Sequence, residues 1–308
     1  MHHHITKALY DLFPPEEKND FYHAYLYLKH LDHFMYHALK ATGQPSKRPQ
    51  KAIDPDIDEM LEAAIQHIAE TAGSRDTSTY HAKIVKIKDA IQLVTQKNNI
   101  HIEPPEKVIP YKQARSIILN NPESISLGEC ACRALGESSC LSDDELDVCL
   151  FIGDPHASFI DAFNPKFRKI SQEQAVQVLK DSHERGLVHC AYFKKDLGRR
   201  FFAICNCCSC CCQGMKAWNQ FNGSIPILAS SGYTAHVSQE CSGCEECEDI
   251  CHFHALKFIK EESRVVVLEE KCMGCGVCED KCPIGAITLR KDPGKGEPLD
   301  LSQLLISD

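Results

Sequence analysis

Two stretches of cysteine dominate the chemistry that this sequence can do. Cys241, Cys244, Cys247 and Cys251 follow the spacing C-x2-C-x2-C-x3-C. After twenty further residues Cys272, Cys275, Cys278 and Cys282 repeat it. Three thiolates at x2 intervals on a tight loop can each reach a different iron of one cube, so the doubled spacing predicts two iron–sulfur clusters. A lone C-x2-C pair is equally a zinc signal, but a duplicated four-cysteine run is not.

Eleven further cysteines lie upstream, among nineteen in 308 residues. Cys130, Cys132, Cys140 and Cys149 are spaced C-x-C-x7-C-x8-C, and Arg133 adjoins them. Four thiols within twenty residues can close a zinc site or hold a cluster, although the spacing is standard for neither. Thiols are also good core residues, so packing is the alternative. Cys205, Cys207, Cys208, Cys210, Cys211 and Cys212 crowd into eight residues. As a strand, that run divides into Cys205, Cys207 and Cys211 on one face and Cys208, Cys210 and Cys212 on the other. As a helix, Cys205, Cys208 and Cys212 share one stripe and Cys207, Cys210 and Cys211 another. Neighbouring cysteines do not readily serve one metal, so thiols are expected on two sides. Six oxidisable thiols are a costly way to write an apolar patch, which favours a chemical role. His189 and Cys190 could supply one more ligand, but such a lone pair is more often structural.

Composition narrows the rest. Apolar residues make up 43 % and charged residues 25 %, as in soluble globular chains. The net charge of −9 leaves no basic stripe for nucleic acid and suits docking on basic protein surfaces. No apolar run approaches the ~18 residues of a membrane span, and no secretory h-region follows the three N-terminal histidines. Reduced, metal-holding thiols in a cytoplasm are therefore expected. No phosphate loop, dinucleotide fingerprint or Ser-His-Asp pattern is present.

At about 100–200 residues per domain, several domains are expected. The fold class is α+β: a helical bundle over 1–103, a cysteine-rich α+β domain over 104–235, a dicluster domain over 236–290 and a tail over 291–308. Asn19 or Asp20 caps a helix to Thr42, with Gly43 as its stop. Asp54 and Pro55 open a second, with Ile57, Met60, Leu61, Ala64, Ile65 and Ile68 on its apolar face and Gly73 at its end. Tyr80, Ile84, Ile87, Ile91 and Val94 suggest a third. His30, His33 and His37 share a face of the first helix. A haem or metal site is one reading of them; the favoured one is a half-exposed packing surface.

Beyond Pro104-Pro105 the expected order is a helix over 111–120 ended by Pro122, strands over 124–133 and 147–152, a capping-box helix from Ser171 with Gln174, and strands over 187–193 and 201–205. That order suggests a winged-helix-like unit. Gln213 to Phe221 reads as a short helix, and the tail as extended with a last helical turn near Leu301–Ile306.

The repeated run with Pro283 after its last cysteine closely resembles the bacterial 2[4Fe-4S] ferredoxins. That resemblance implies crossed ligation: Cys241, Cys244, Cys247 and Cys282 on one cluster, Cys272, Cys275, Cys278 and Cys251 on the other. Short strands over 255–259, 265–268 and 286–289 match the same pattern. Pro283 has His252 as its counterpart in the first run, a departure. The strings Gly128–Arg133, Val148–Gly153, Ile170–Ala175, Gly186–His189 and Ile204–Cys212 resemble a family of iron–sulfur proteins of anaerobic bacteria and archaea, over about residues 108–290. Together these imply an electron-transfer protein with two [4Fe-4S] clusters, a redox protein partner, and an additional cluster or zinc ion in the middle domain. An oxidoreductase with its centre at Cys205–Cys212 and a metal-delivery protein remain alternatives.

Overall fold

The computed structural model describes residues 3–41, 43–71, 79–136, 140–142 and 145–306, an α+β architecture. Four helices, His3–Tyr10, Lys18–Lys29, Leu31–Ala41 and Pro55–Thr71, form the N-terminal layer. The single helix expected up to Thr42 is broken at His30, which leaves the helical region at φ −124° and ψ 44°. Asp54 caps the fourth helix by accepting from the Asp56 amide at 3.0 Å. On it Leu61 and Ile65 are buried, whereas Met60 points outward. Thr42 and Gly73 lie outside the described residues.

The third expected helix is instead a strand, β1 (Tyr80–Val85), followed by a short helix, Ile87–Val94. Its 4-3-4-3 spacing runs across two elements. β1 is buried on both faces, so it shows no alternation to betray it. Pairing across all six of its residues with a later strand overrides helix propensity.

The remaining strands are β2 (Ile100–Ile102), β3 (Ile117–Glu129), β4 (Asp147–Asp154), β5 (Phe167–Ile170), β6 (Val188–Lys194), β7 (Arg200–Cys207), β8 (Leu228–Ala229), β9 (Tyr233–Val237), β10 (Leu256–Ile259), β11 (Arg264–Val267) and β12 (Ile287–Lys291). The first eight make one sheet in the order β2-β3-β4-β7-β6-β1-β8, with β5 on β3. All its pairings are antiparallel except β1–β8. This broad sheet replaces the winged-helix-like unit. The helix expected over 111–120 is also absent: Ile117–Leu119 already pair with β2. Pro122, its expected stop, lies inside β3 where the β3–β4 register shifts between Asn120 and Ile125, a place that needs no ladder N–H.

Other elements form as their local signals require. Ser171 Oγ accepts from the Gln174 amide (3.2 Å) and Gln174 Oε1 from the Ser171 amide (2.9 Å), so the capping box opens the helix Gln172–Glu184. The helix Gln213–Gln220 and the turn Leu301–Leu304 are likewise present.

Strand alternation sorts the sheet's side chains into two cores. Leu150, Ile152, Ala191, Phe193 and Ile204 face the helices Ile87–Val94 and Gln172–Glu184. Cys149, Phe151, Cys190, Tyr192 and Cys207 face the N-terminal helices and the C-terminal strands. The cysteines of β4, β6 and β7 therefore share one face. No described helix is long and apolar enough to cross a membrane.

Lys83 of β1 is almost wholly buried, and its Nζ donates to the Glu297 carbonyl at 2.8 Å, tying the tail to the sheet. Burial pulls its pKa from 10.5 down to about 7, against smaller opposing effects of Glu297 and Asp89. The folded chain therefore binds fewer protons than the unfolded chain between those values, and stability rises with pH across that window. Thermal unfolding from pH 7 to 9.5 should show the wild-type Tm rising relative to Lys83→Met; parallel curves would contradict a desolvated Lys83.

Candidate metal centres

The two runs of the C-terminal region are held by a pseudo-two-fold built on their 31-residue offset. β9 pairs with β12 and β10 with β11, so each two-stranded ribbon takes one strand from each repeat. Glu248 Oε2 accepts from the Phe258 amide (2.7 Å), and Glu279 Oε1 accepts from the Leu289 amide (2.8 Å) at the matching place. Ala255 N–H donates to Cys251 Sγ (3.3 Å), and Ala286 N–H to Cys282 Sγ (3.2 Å). A Cβ on Gly243 would fall 2.6 Å from the Ser263 carbonyl oxygen, and one on Gly274 would fall 2.2 Å from that of Tyr233. Only glycine permits these approaches, both at positive φ.

Cys241, Cys244, Cys247 and Cys282 line one hollow, closed by Val265, Pro283 and Ile287. The fourth cysteine of the second run thus sits with the first three of the other. Burial raises the Cys247 thiol to about 11, and Cys241, Cys244 and Cys282 add to that rise as like-charged neighbours. Burial likewise raises Cys275 to about 12 and Cys278 further, each with Cys251 and Cys272 among its charged neighbours. Cys272 Sγ accepts from the Ala235 amide at 3.4 Å. Two sets of four thiols, most of them partly or wholly buried, with backbone N–H groups aimed at sulfur, fit the demands of thiolate-bound iron–sulfur cubes.

The upstream cysteines fall into different groups from those their spacing suggests. The run Cys205–Cys212 is neither all strand nor all helix. β7 ends at Cys207, and Cys208–Cys211 form a turn closed by the Cys212 amide on the Cys208 carbonyl (3.0 Å). Within that turn Cys208, Cys210 and Cys211 converge, neighbours included, and Cys140 joins them. Their four sulfurs all lie within 4.8 Å of one another. Cys140 to Cys208 is 3.3 Å, Cys210 to Cys208 3.2 Å and Cys210 to Cys211 3.6 Å. The neighbouring Cys140 and Cys211 thiols, helped by Arg133, hold the Cys208 thiol well below its ordinary value.

Cys130, Cys132, Cys140 and Cys149 are thus not one site. Cys130 and Cys132 sit not on a strand but at the start of the short helix Ala131–Ala134. A hydrogen bond from Cys132, with Arg133 nearby, lowers the Cys130 thiol to about 6. Cys149 Sγ lies 3.7 Å from Cys205 Sγ across β4–β7. The Cys190 thiol, with burial, raises the Cys207 thiol to about 11, against the opposing effect of Cys205 and Cys212. The inner thiols are lined by Tyr27, Tyr80 and Tyr192; burial raises all three phenols, and nearby cysteines reinforce this. No sequence spacing marks these tyrosines, because the sheet alone brings them there.

Arg133 is 2 % exposed. Its Nη2 donates to Cys208 Sγ at 3.3 Å, while Nε and Nη1 have no hydrogen-bond partner among the described residues. His33 and His37 are buried rather than half-exposed as expected, and both rings lie against the Asp58 carboxylate, at 3.3 and 2.8 Å.

His252, the departure from the repeat, has a clear structural role. Its Nδ1 accepts from the Ser209 amide (3.2 Å), and its Nε2 therefore donates to the Gly186 carbonyl (2.8 Å). It links Cys251 to the turn that carries Cys208, Cys210 and Cys211. Asp280 with His183 (2.7 Å) and Glu279 with Lys86 (3.5 Å) extend the same contact.

A family model described as 4Fe-4S dicluster domain matches residues 240–286. The match spans the two runs, and this part of the chain is an iron–sulfur, metal-binding domain. No curated protein matches the chain.

Replacing His252 by Ala removes the acceptor of the Ser209 amide. Hydrogen exchange at Ser209 should accelerate roughly fivefold, the equivalent of about 1 kcal/mol for one hydrogen bond. Unchanged exchange would show that the ring does not hold the turn.

Proposed function

We propose that this chain is an iron–sulfur electron-transfer protein with two [4Fe-4S] clusters. One would be held by Cys241, Cys244, Cys247 and Cys282, the other by Cys272, Cys275, Cys278 and Cys251. The single observation that carries this reading is the seating of Cys282 among the first run's three cysteines. Clusters so ligated supply one-electron transfer, within a span of about −700 to +450 mV.

The chain's own residues set the conditions for that chemistry. The amides of Ala235, Ala255 and Ala286 donate to sulfur, which favours the reduced, more negative state. Burial around Cys247, Cys275 and Cys278 shields those three sulfurs in part from water. Cys244 is exposed, giving one hollow an edge at the surface. Around that edge Glu240, Glu245, Glu246 and Asp249 are exposed too. This acidic rim suits a redox protein partner with a basic docking face, and its attraction should weaken with salt.

Crossed ligation is tested by pairs of substitutions read as iron and acid-labile sulfide per chain. Cys244→Ala with Cys282→Ala should remove one cluster and keep about half the iron, because both residues serve one cluster. Cys275→Ala with Cys282→Ala should remove nearly all of it. The reverse pattern would overturn the assignment.

A further inference from the structure

We propose that Cys140, Cys208, Cys210 and Cys211 bind a single zinc ion as a closed, mononuclear tetrathiolate centre, with Arg133 as its charge partner. The inference goes beyond the dicluster reading and does not depend on it.

Spacing between the sulfurs decides the nuclearity. Four thiolates around one zinc at about 2.3 Å make a tetrahedron with edges of about 3.8 Å. The measured separations of 3.2, 3.3 and 3.6 Å, with all four sulfurs within 4.8 Å, match that size. A cubane puts each thiolate on a different corner iron, so its four sulfurs must stand wider apart. The same structure contains the comparison. Among the described residues, no three dicluster cysteines approach one another as closely as these four do. Among the described residues, the only other compact group of potential ligands is Asp20, His23 and Asp196. There Asp196 is ion-paired with Lys194, and Asp20 lies 3.7 Å from Lys195, so its charge is already met.

Charge supplies the second, independent argument. Four thiolates around a divalent ion carry a net charge of about −2. Arg133 is buried beside them with two guanidinium nitrogens unpartnered among the described residues. A buried cation in that state is costly unless an anion faces it. With four thiolates and no open position, the site is of the structural kind. Zinc precedes ferrous iron in the affinity order for the same ligands. The ion would pin Cys140 to a turn 68 residues further along the chain. It would thereby position Ser209, which holds His252 beside Cys251.

The test uses full-length protein purified anaerobically, with zinc, iron and sulfide measured per chain. Wild type should carry one zinc, and its zinc-edge X-ray absorption should show only sulfur neighbours, at about 2.3 Å. Cys140 and Cys210 are exposed, so their substitution spares the core. Cys140→Ser and Cys210→Ser should each lower zinc at least tenfold, while the iron, sulfide and reduced-state EPR of the dicluster persist. Wild type without zinc overturns the proposal, whether the site then holds iron with sulfide, iron alone or nothing. Zinc retained in both variants, or a zinc edge with nitrogen or oxygen neighbours, overturns it as well. Loss of dicluster iron with zinc intact would instead count against the electron-transfer reading.

Discussion

A buried thiolate is unstable by itself, and the architecture answers that constraint at each cysteine group. Burial raises the Cys247, Cys275 and Cys278 thiols, so something must offset the charge when the proton leaves. Backbone amides do part of this at Cys251, Cys272 and Cys282, and Arg133 does it at Cys208. The rest falls to metal. The need to gather several thiols at one point then dictates connectivity. Cys282 completes the hollow of the first run, so that hollow draws on both repeats. The crossed ribbons β9–β12 and β10–β11 are the backbone counterpart of that exchange.

The large sheet serves the same end upstream. Its alternation puts Cys149, Cys190, Cys205 and Cys207 on one face, and the end of β7 releases the chain into a turn at once. Cys205 and Cys207 thereby stay with the inner thiols while Cys208, Cys210 and Cys211 swing outward to meet Cys140. His252 joins the two regions. A proline at that place, as at Pro283, offers no ring nitrogen to Ser209 or to Gly186. The residue that departs from the repeat fastens it to Ser209 and Gly186.

How much of this the sequence revealed depended on how local each signal was. The doubled spacing of the C-terminal run was sufficient for the dicluster domain, because those ligands sit on tight loops. The capping box at Ser171 and Gln174 was equally local and equally readable. By contrast, β1 looked helical because Tyr80, Ile84 and Ile87 keep a helical spacing across a strand and its following helix. Only the pairing with β6 selects the extended form. Cys140 and Cys149 looked like partners from their positions, yet one meets Cys208 and the other Cys205, contacts created by the sheet order. Adjacent Cys210 and Cys211 were not expected to serve one metal, and a regular strand would part them, but the turn they occupy brings both sulfurs together.

The central claim is that two clusters share the C-terminal repeat by exchanging their fourth thiolates. Crystals grown without oxygen, with anomalous maps recorded on either side of the iron edge, test it most directly. The account predicts two separate iron sites in the repeat, one bonded to Cys241, Cys244, Cys247 and Cys282, the other to Cys272, Cys275, Cys278 and Cys251. A single iron site, or two sites each bonded to one uninterrupted run, would contradict it.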